Sequence, residues 1–568
     1  QYTDHTGAGK SVWLDAKDMT LYAHWVDVFE FFETEQSIGG GQSIKGYSVK
    51  KGEGIDYVTE VTIPAEYNGL PVIDISGGAF DRCTNLKKIS IPDTIKNIDY
   101  GSSGGRETGS PFSYCSNIEE VAVYVANPNE TYETRYTSVD GVLFEYSDTE
   151  LKSSMIIRYF PAAKAGEYVL PDGVVTLPIN VFKNTRITSI TIPASVSKID
   201  NNVFEGCSKL VRIEFLDGEG LPIELTELSF DGAAWVTELI LPTRIENFNP
   251  AYFSYMSRLE KISFTDDNGE YRAVDGLVVN KAADTIIYAP RTFSGENGVF
   301  TIPLGINKIA DNAFANPYKK TKTITGYYGC KITKLIVPEY VTEIGENAFR
   351  GCSSIGSIEF SGNGSPLGLK IAARAFHNNT SLTQLTLPEN LVSLGKYAFG
   401  YCTNLTEVEV YATASKPDET DSSVMLCTAL ETDAFRTDVA WDKDNTRKAY
   451  SVTRVTIGAN VGVMDLGGVF GSALQQVNID PQNPNFTSDN GVVYSKNFSE
   501  ILYFPYGKTG EFVLHEDVVT INSKVFMNAS MLTKVTIGAK VTKIGDSAFG
   551  NCTSLKTVVF ASSDEVAE

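Results

Sequence analysis

The stretch Ile344-Gly-Glu-Asn-Ala-Phe349-Arg-Gly-Cys352 returns near the end of the chain as Ile544-Gly-Asp-Ser-Ala-Phe549-Gly-Asn-Cys552. Its centre is an anchor phenylalanine that recurs every 22 to 27 residues where no insertion intervenes, and twelve of fourteen anchors have Leu, Ile or Phe five positions earlier. The anchors are Phe80, Phe112, Phe182, Phe204, Phe230, Phe253, Phe314, Phe349, Phe376, Phe399, Phe435, Phe470, Phe526 and Phe549. One repeat of this length cannot bury its own apolar face, so the sequence predicts a stacked, elongated solenoid.

A second pattern, downstream of the anchors, places apolar residues at every other position. Examples are Leu86-Lys-Lys-Ile89-Ser-Ile91-Pro92 and Leu382-Thr-Gln-Leu385-Thr-Leu387-Pro388. This period indicates a short β-strand with one buried face, and the proline, which lacks an N–H, marks its end. The anchor segment is too short for a stable helix and predicts a single helical or 3₁₀ turn. We expect the stacked strands to form one long parallel sheet.

Three insertions carry Asp-Gly or Asn-Gly between strand-like runs: Asp140-Gly141, Asp275-Gly276 and Asn490-Gly491. Both residues of such a pair tolerate positive φ, so each pair predicts a tight β-hairpin. An apolar strand that ends in tyrosine follows each of them. The sequence therefore predicts hairpin insertions near residues 136–160, 271–290 and 486–505.

The segment Ile63-Pro64-Ala-Glu-Tyr-Asn68-Gly69-Leu-Pro71-Val72-Ile-Asp-Ile75, which leads to Ala79-Phe80, resembles the opening repeat of BspA-like bacterial leucine-rich-repeat arrays. Inserted hairpins are a second trait of that family. The resemblance implies a strand-dominated α/β solenoid, namely a leucine-rich-repeat horseshoe with a parallel sheet on its inner curve, short helical turns elsewhere and inserted β-hairpins. We assign residues 28–568 to this domain, with about 14 anchor repeats.

The stretch from Ser11 to Trp25 is similar to the closing strand of internalin-type B repeats, which end in Thr-Leu-Tyr-Ala-x-Trp, here Thr20 to Trp25. The similarity implies that residues 1–27 are the remnant of a preceding B-repeat-like module and a linker. The segment begins at Gln1 and shows neither a signal peptide nor a sorting sequence. We interpret this as a leader and an anchor that lie outside the segment.

The chain carries 48 basic and 70 acidic residues, hence a net charge of −22 at pH 7. Nucleic acids and anionic membranes need clustered Lys and Arg, so this balance argues against both as partners. There is no run of 18 apolar residues, so we expect no membrane insertion in this segment. The acidic balance suits an extracellular or cell-surface location.

Groups that carry chemistry are sparse in this sequence. The four histidines lie away from one another and from cysteine at metal-ligand spacing, and there is no Cys-x-x-Cys. Six of the eight cysteines follow an anchor by three residues, in a column that elsewhere holds Ala, Met or Asn. This column indicates a small buried slot, and it favours structural thiols over disulfides. We expect no cofactor, no metal and no catalytic residue.

Two surface features are candidates for ligand binding. On the sheet face, the column before the central apolar residue is basic at six positions, which fits an acidic partner or, alternatively, a ladder of ion pairs between adjacent strands. Its candidate residues are Lys88, Arg212, Lys261 and Lys334. In the insertions, Tyr and Arg are favoured at interfaces, and the alternative is a hairpin packed on its own repeat. The candidates there are Tyr318, Tyr327, Tyr328, Tyr132, Arg135 and Tyr136.

These observations predict a bacterial cell-surface or secreted binding protein without a catalytic role. Adhesion, and a host extracellular or bacterial surface protein as partner, are what the family resemblance implies. One alternative is a structural stalk or spacer that displays another module. A second is a glycan-active enzyme with a carboxylate pair in the insertions.

Overall fold

The computed structural model describes residues 2–3, 10–11, 27–39, 42–99, 110–128, 134–147, 153–245, 248–266, 269–319, 324–361, 367–412, 415–417, 425–427, 430–431, 433–436, 450–462 and 465–561. Short strands recur through this part of the chain, and the predicted strand-dominated solenoid is confirmed. The chain divides into two compact units, Gln1–Tyr271 and Arg272–Glu568. The B-repeat-like residues 12–25 lie outside the described residues.

Most coils contribute two strands to two sheets. The front strand follows the anchor turn and is the predicted alternating strand. The back strand is often two residues long and ends at the apolar residue five positions before the anchor, as in Lys198–Ile199 and Glu343–Ile344. Because two residues are too few to show a period, the sequence pattern does not predict this second sheet.

In the first unit the front strands form two parallel sheets, and equivalent apolar residues such as Ile190, Ile213 and Leu239 lie in register. The front strands are Glu60–Thr62, Lys88–Pro92 and Glu120–Tyr124, then Ala165–Val169, Arg186–Ile192, Arg212–Phe215, Glu238–Leu241 and Lys261–Phe264. The back strands are Leu70–Ile75, Asn97–Ile98, Thr176–Leu177 and Lys198–Ile199. The other strands are Tyr2–Thr3, Lys10–Ser11, Phe29–Gly39, Gln42–Lys51, Glu66–Tyr67, Tyr136–Val139, Val142–Tyr146 and Met155–Tyr159, and the 3₁₀ helices are Glu53–Tyr57 and Pro250–Phe253.

The second unit repeats this arrangement. Its front strands are Val299–Thr301, Lys334–Val337 and Ser357–Phe360, then Gln384–Leu387, Glu407–Val410, Arg454–Ile457 and Gln476–Ile479, then Gly510–Val513, Leu532–Ile537 and Thr557–Phe560. Its back sheets contain Tyr271–Val274, Leu277–Asn280, Thr285–Tyr288, Lys308–Ile309, Glu343–Ile344, Leu369–Ile371 and Leu391–Leu394, and Phe486–Asp489, Val492–Ser495, Glu500–Tyr503, Thr520–Ile521 and Lys543–Ile544. Two further hairpins pair Ala315–Lys319 with Ile324–Gly329 and Ser415–Pro417 with Met425–Cys427, and the helices are Leu466–Phe470 (α) and Gly471–Ala473 (3₁₀).

The expectation of one uninterrupted front sheet is wrong, and the hairpins explain two of the breaks. The three hairpins lie where the sequence predicts them, and both residues of each turn have positive φ, for example 47° at Asn490 and 75° at Gly491. In the third hairpin, the Gly491 carbonyl accepts a hydrogen bond from Val477 N–H at 3.0 Å, in the place of a next strand. Gly141 accepts from Val121 in the same way at 2.8 Å. A hairpin therefore ends one front sheet and carries the chain to the back sheet.

The anchor phenylalanines form the core of the coils. In the second unit the rings of Phe314, Phe349, Phe376, Phe399 and Phe435 stack with centroids 4.5–5.7 Å apart. These anchors are fully or almost fully buried. Burial of each ring stabilises the fold by about 1.5–3 kcal/mol relative to an exposed ring, so the ladder is a main source of cohesion between coils.

The backbone around each anchor is a hydrogen-bonded turn. Cys352 N–H donates to the Phe349 carbonyl at 3.2 Å, and Phe349 N–H donates to Ala375 of the next coil at 2.7 Å. The predicted helical or 3₁₀ turns reach helical length only at Pro250–Phe253 and Leu466–Phe470 among the described anchors. Among the described residues, no helix has both the length and the apolar character needed to cross a bilayer.

Candidate functional site

The basic column of the sheet face is paired with carboxylates. Lys88 lies 2.7 Å from Glu120 of the adjacent strand, and the hydrogen bond between them raises the pKa of Lys88. Glu238 lies between two cations, Arg212 at 3.3 Å and Lys261 at 2.6 Å. The hydrogen bond from Lys261 is the main reason that the pKa of Glu238 is lowered. These contacts favour the ion-pair ladder over an open basic strip.

Lys334 follows the same rule in the second unit. Its Nζ lies 2.8 Å from a carboxylate oxygen of Glu359, on the adjacent front strand. Arg454 likewise donates to Glu407 at 2.8 Å. The described cations of this column thus neutralise acids of neighbouring coils, and the sheet face presents a balanced surface.

The first insertion uses its charged residue internally. Arg135 Nε donates at 2.6 Å to Glu145, a carboxylate that is 5% exposed and also accepts a hydrogen bond from Arg158. Tyr136 is 4% exposed; its hydroxyl accepts a hydrogen bond from Ile98 N–H at 3.1 Å, and burial raises its pKa to about 12. Tyr136 therefore packs the hairpin onto the preceding coil, and Arg135 stabilises the hairpin from within. Tyr132 lies outside the described residues.

The second insertion is an antiparallel hairpin between coils. Its backbone register sets Tyr327 opposite Pro317, Tyr328 opposite Asn316, and Tyr318 opposite Gly326. The side chains of the three tyrosines lie outside the described residues. The structure thus places these candidates on the hairpin backbone alone.

A surface that the sequence analysis does not single out is the turn face, the set of turns around the anchors. Two backbone positions there, two residues before and two residues after the anchor, adopt positive φ in most coils. Asn and Gly usually occupy them, as at Asn347 (55°) and Gly351 (76°), because they enter the left-handed region at least cost. The bulky exceptions are Arg82, Tyr114, Arg374, Tyr397, Tyr401 and Lys524, with φ of 56–62°.

Three of these exceptions lie together in the second unit. We define the turn-face cluster as Arg374, His377, Lys396, Tyr397, Tyr401 and Arg436. The Tyr397 ring has three cations around it, with Lys396 at 5.4 Å, Arg374 at 5.8 Å and Arg436 at 5.9 Å from the ring centroid. Distances near 6 Å are those of cation–π contacts.

The neighbouring ring pair of the cluster is His377 and Tyr401, whose centroids are 4.9 Å apart. Burial, together with the charges of Arg350 and Arg374, lowers the pKa of His377 to about 3. The imidazole is therefore neutral at physiological pH. Its buried Nδ1 has no hydrogen-bond partner among the described residues.

Buried charges hold the cluster in place. Arg436 is 4% exposed; its guanidinium lies 3.9 Å from the Asp433 carboxylate and donates to the Tyr397 hydroxyl at 3.3 Å. Tyr450 donates to the same carboxylate at 2.9 Å. On the outer side, Arg374 pairs with Glu346 at 3.2 Å. The Tyr397 ring is thus held through its hydroxyl by a buried arginine.

The cluster combines aromatic rings with cationic side chains. Aromatic faces with arginines beside them are typical of protein interfaces. Among the described residues, no group of three or more His, Cys, Asp or Glu is placed to hold a metal. The sequence does carry a signal for the cluster, namely the departure from Asn and Gly at two columns that flank the anchors.

Three solved structures are similar to this chain over most of its length. The pneumococcal vaccine antigen PcpA matches with 15% identity over 94% of this chain and 97% of its own, at a TM-score of 0.38. A leucine-rich repeat protein from Bacteroides ovatus matches with 16% identity over 93% and 92%, at a TM-score of 0.30. A leucine rich cell surface protein from Faecalibacterium prausnitzii matches with 16% identity over 77% and 96%, at a TM-score of 0.22.

No curated protein matches the chain. The family model described as BspA type Leucine rich repeat region matches it in six copies, over residues 55–123, 175–272, 323–440 and 497–567. These segments make up more than half of the 568 residues. The chain therefore belongs to the BspA-type leucine-rich-repeat family.

Proposed function

We propose that this chain is a non-catalytic binding protein that contacts a protein partner through the turn-face cluster. The observation that carries the proposal is the left-handed backbone of Tyr397 and Tyr401, at φ of 57° and 59°. For a residue with a bulky side chain this conformation costs about 1–2 kcal/mol. Backbone strain of this kind is concentrated at functional sites.

The fold itself does not require tyrosine at these positions. Asn378 and Asn528 occupy the position of Tyr401 in other coils, with φ of 65° and 69°. Tyrosine adds a large, rigid contact area there, and the hydrogen bond from Arg436 fixes Tyr397 before any partner arrives. Preorganised aromatic side chains lose little conformational entropy on binding, which supports a role in recognition.

We place the protein at the bacterial cell surface or outside the cell, and retain residues 28–568 as one repeat domain after a B-repeat-like remnant in residues 1–27. BspA-like proteins are associated with adhesion to host components and to other bacteria, and this part of the proposal rests on that analogy. The net charge of −22 is compatible with it. Surface labelling of intact cells tests the location, and purely internal protein would contradict it.

A pair of tyrosine substitutions tests the binding site. Immobilised wild-type protein and the Tyr397→Asn/Tyr401→Asn variant are titrated with a host extracellular extract and with a bacterial envelope extract, and retained proteins are quantified by mass spectrometry. We expect at least one protein to be retained saturably by the wild type and at least tenfold less by the variant. Equal retention of every saturable protein would contradict the assignment to the cluster.

A matched control uses the first unit. Tyr114 also has positive φ (57°) and is 54% exposed, but Arg82 is its described cation–π contact, at 5.5 Å. Tyr114→Asn therefore removes a similar ring and a similar strain outside the cluster. We expect this variant to retain the partner at the wild-type level.

A panel of glycans and peptides, assayed for turnover, tests the non-catalytic assignment.

The paired sheet face favours a second candidate, a stalk or spacer. A surface whose charges are satisfied between its own strands, as by Glu238 with Arg212 and Lys261, needs no external partner. A stalk predicts that deletion of two internal coils leaves cell attachment unchanged. A large loss of attachment would favour the binding protein.

A further inference from the structure

The cysteine column has a structural role, and a close pair of thiols lies beside it. All seven cysteines whose side chains are described carry free thiols. Cys207 Sγ donates to the carbonyl of Phe182, the anchor of the preceding coil, at 2.9 Å, and Cys402 does the same to Phe376 at 3.3 Å. One thiol thus ties one coil to the coil before it.

Cys330 is a buried cysteine beside this column and outside the anchor spacing. It lies 16 residues after the anchor Phe314, because the hairpin Ala315–Lys319 and Ile324–Gly329 is inserted after that anchor. Cys330 is 2% exposed, and its N–H donates to Cys352 Sγ at 3.3 Å. Gly329 N–H also donates to the Gly351 carbonyl at 3.1 Å.

Cys330 and Cys352 consequently bring two thiols together in adjacent coils. Their Sγ atoms are 3.0 Å apart, and Cys352 is fully buried. A disulfide needs about 2.05 Å between the sulfur atoms, so an approach of about 1 Å would close the bond. The thiol of Cys207, in contrast, faces the Thr185 hydroxyl at 3.4 Å.

We propose that Cys330 and Cys352 form a disulfide when the protein folds in the presence of a low-molecular-weight disulfide. One thiolate attacks the oxidant and forms a mixed disulfide, and the second thiolate displaces the remaining thiol. The two cysteines are oxidised by two electrons and release two protons, while the oxidant is reduced to two thiols. Oxidation during folding is the expected route, because in the folded chain both sulfur atoms are buried away from an oxidant.

The bond would fasten the base of the inserted hairpin to the following coil. Cys330 directly follows the second hairpin strand, and Cys352 closes the anchor turn of Phe349. The cross-link would restrict the hairpin backbone that carries Tyr318, Tyr327 and Tyr328. This proposal is independent of the turn-face cluster.

Peptide mapping tests the bond directly. The full chain is refolded from denaturant with a mixture of oxidised and reduced glutathione, and in parallel the native protein is incubated with the same mixture; both are denatured, alkylated, digested and analysed by mass spectrometry. We expect a cross-linked peptide that joins Cys330 to Cys352 in the refolded sample, with loss of the separately alkylated peptides of these two cysteines. Recovery of both as separately alkylated peptides in both samples would overturn the proposal, as would a bond from either one to another cysteine.

A substitution provides a second readout. Cys352→Ala places alanine in a slot that Ala233 and Ala529 occupy in other coils, so this variant is expected to fold. The wild type should show a higher apparent Tm after oxidation than after reduction, and the variant should show the same Tm in both states. A redox-dependent Tm that persists in Cys352→Ala would contradict the assignment.

Discussion

On the sheet face of the second unit, Arg454 pairs with Glu407 of the neighbouring strand at 2.8 Å, whereas on the turn face Tyr397 and Tyr401 keep bulky rings on left-handed backbone. The first arrangement lowers the energy of the stacked coils, because each charge finds an opposite charge one coil away. The second raises it, because Asn or Gly would adopt the same backbone with less strain. The two faces therefore differ in what their side chains do for the fold.

Under the proposed function, this difference separates the residues that hold the coils together from the residues that contact a partner. The ion pairs of Glu238 with Arg212 and Lys261 are accounted for by the stability that they give to the stacked coils. The left-handed backbone of the tyrosines gives the fold no such stability. Backbone strain without a structural benefit is therefore the better guide to a contact surface. The predictions below test this separation, in order of decreasing effect.

The largest effect is expected from the ladder on which both faces depend. Phe376 is fully buried between Phe349 and Phe399, with centroids at 5.2 and 5.0 Å. Phe376→Ala leaves a cavity, so we expect the free energy of unfolding to fall by about 3–5 kcal/mol. Denaturant unfolding measures the loss. Val392→Ala, at a residue that is 41% exposed on a neighbouring coil, should change it by less than about 0.5 kcal/mol.

The second-largest effect is a dependence of stability on pH, and we expect it to arise on the turn face. Burial and two nearby arginines lower the pKa of His377 from 6.5 to about 3. Between these values the unfolded chain binds a proton that the folded chain does not, so stability falls as pH falls from about 6.5 towards 3. We expect this residue to cost on the order of 2–3 kcal/mol on going from pH 7 to pH 4.

The measurement for His377 is a difference between two proteins. Unfolding is followed from pH 7 to pH 4 in the wild type and in His377→Gln, which cannot acquire this charge. The carboxylates titrate in both, so they cancel. The wild type should lose more stability than the variant over this range, and equal slopes would show that the imidazole is solvated.

Much of this fold can be predicted from the sequence, because the same pattern recurs in one repeat after another. The anchor column and the alternating front strands predict stacked coils, and Asp140-Gly141 and Asn490-Gly491 predict hairpins from turn chemistry alone. The sequence does not predict that the front sheet ends after Gln476–Ile479, because this end depends on the hydrogen bond that the Gly491 carbonyl accepts from that strand. Tertiary packing determines this contact.

The candidate site shows the same division. The sequence shows Lys88 and Lys261 as members of a basic column. Only the structure shows that Glu120 and Glu238 neutralise them. Tyr401 stands in a column that Asn and Gly occupy most often, and the amino-acid sequence alone shows this departure. The sequence does not show the physical reason for the column, which is a positive φ at that backbone position. Without this reason the significance of Tyr401 cannot be recognised.

A smaller effect is expected on the sheet face, and it should depend on salt. Glu238→Gln removes the charge that Arg212 and Lys261 share. These side chains are 28–66% exposed, so we expect the free energy of unfolding to fall by no more than about 1 kcal/mol at low ionic strength. The difference should vanish near 1 M salt, where the Debye length is about 3 Å. Glu219→Gln, at an exposed residue outside the ladder, is the control.

The smallest effect has the opposite sign and is the sharpest test of the comparison. Tyr401→Asn relieves a left-handed tyrosine, so we expect the free energy of unfolding to rise by about 0.5–1 kcal/mol. The reciprocal change, Asn378→Tyr at φ of 65°, imposes the same strain one coil earlier and should lower it by a similar amount. Denaturant unfolding of both variants measures the two changes. If Tyr401→Asn lowers stability instead, the stacking of Tyr401 on His377 outweighs the strain, and the turn face, like the sheet face, would serve cohesion first.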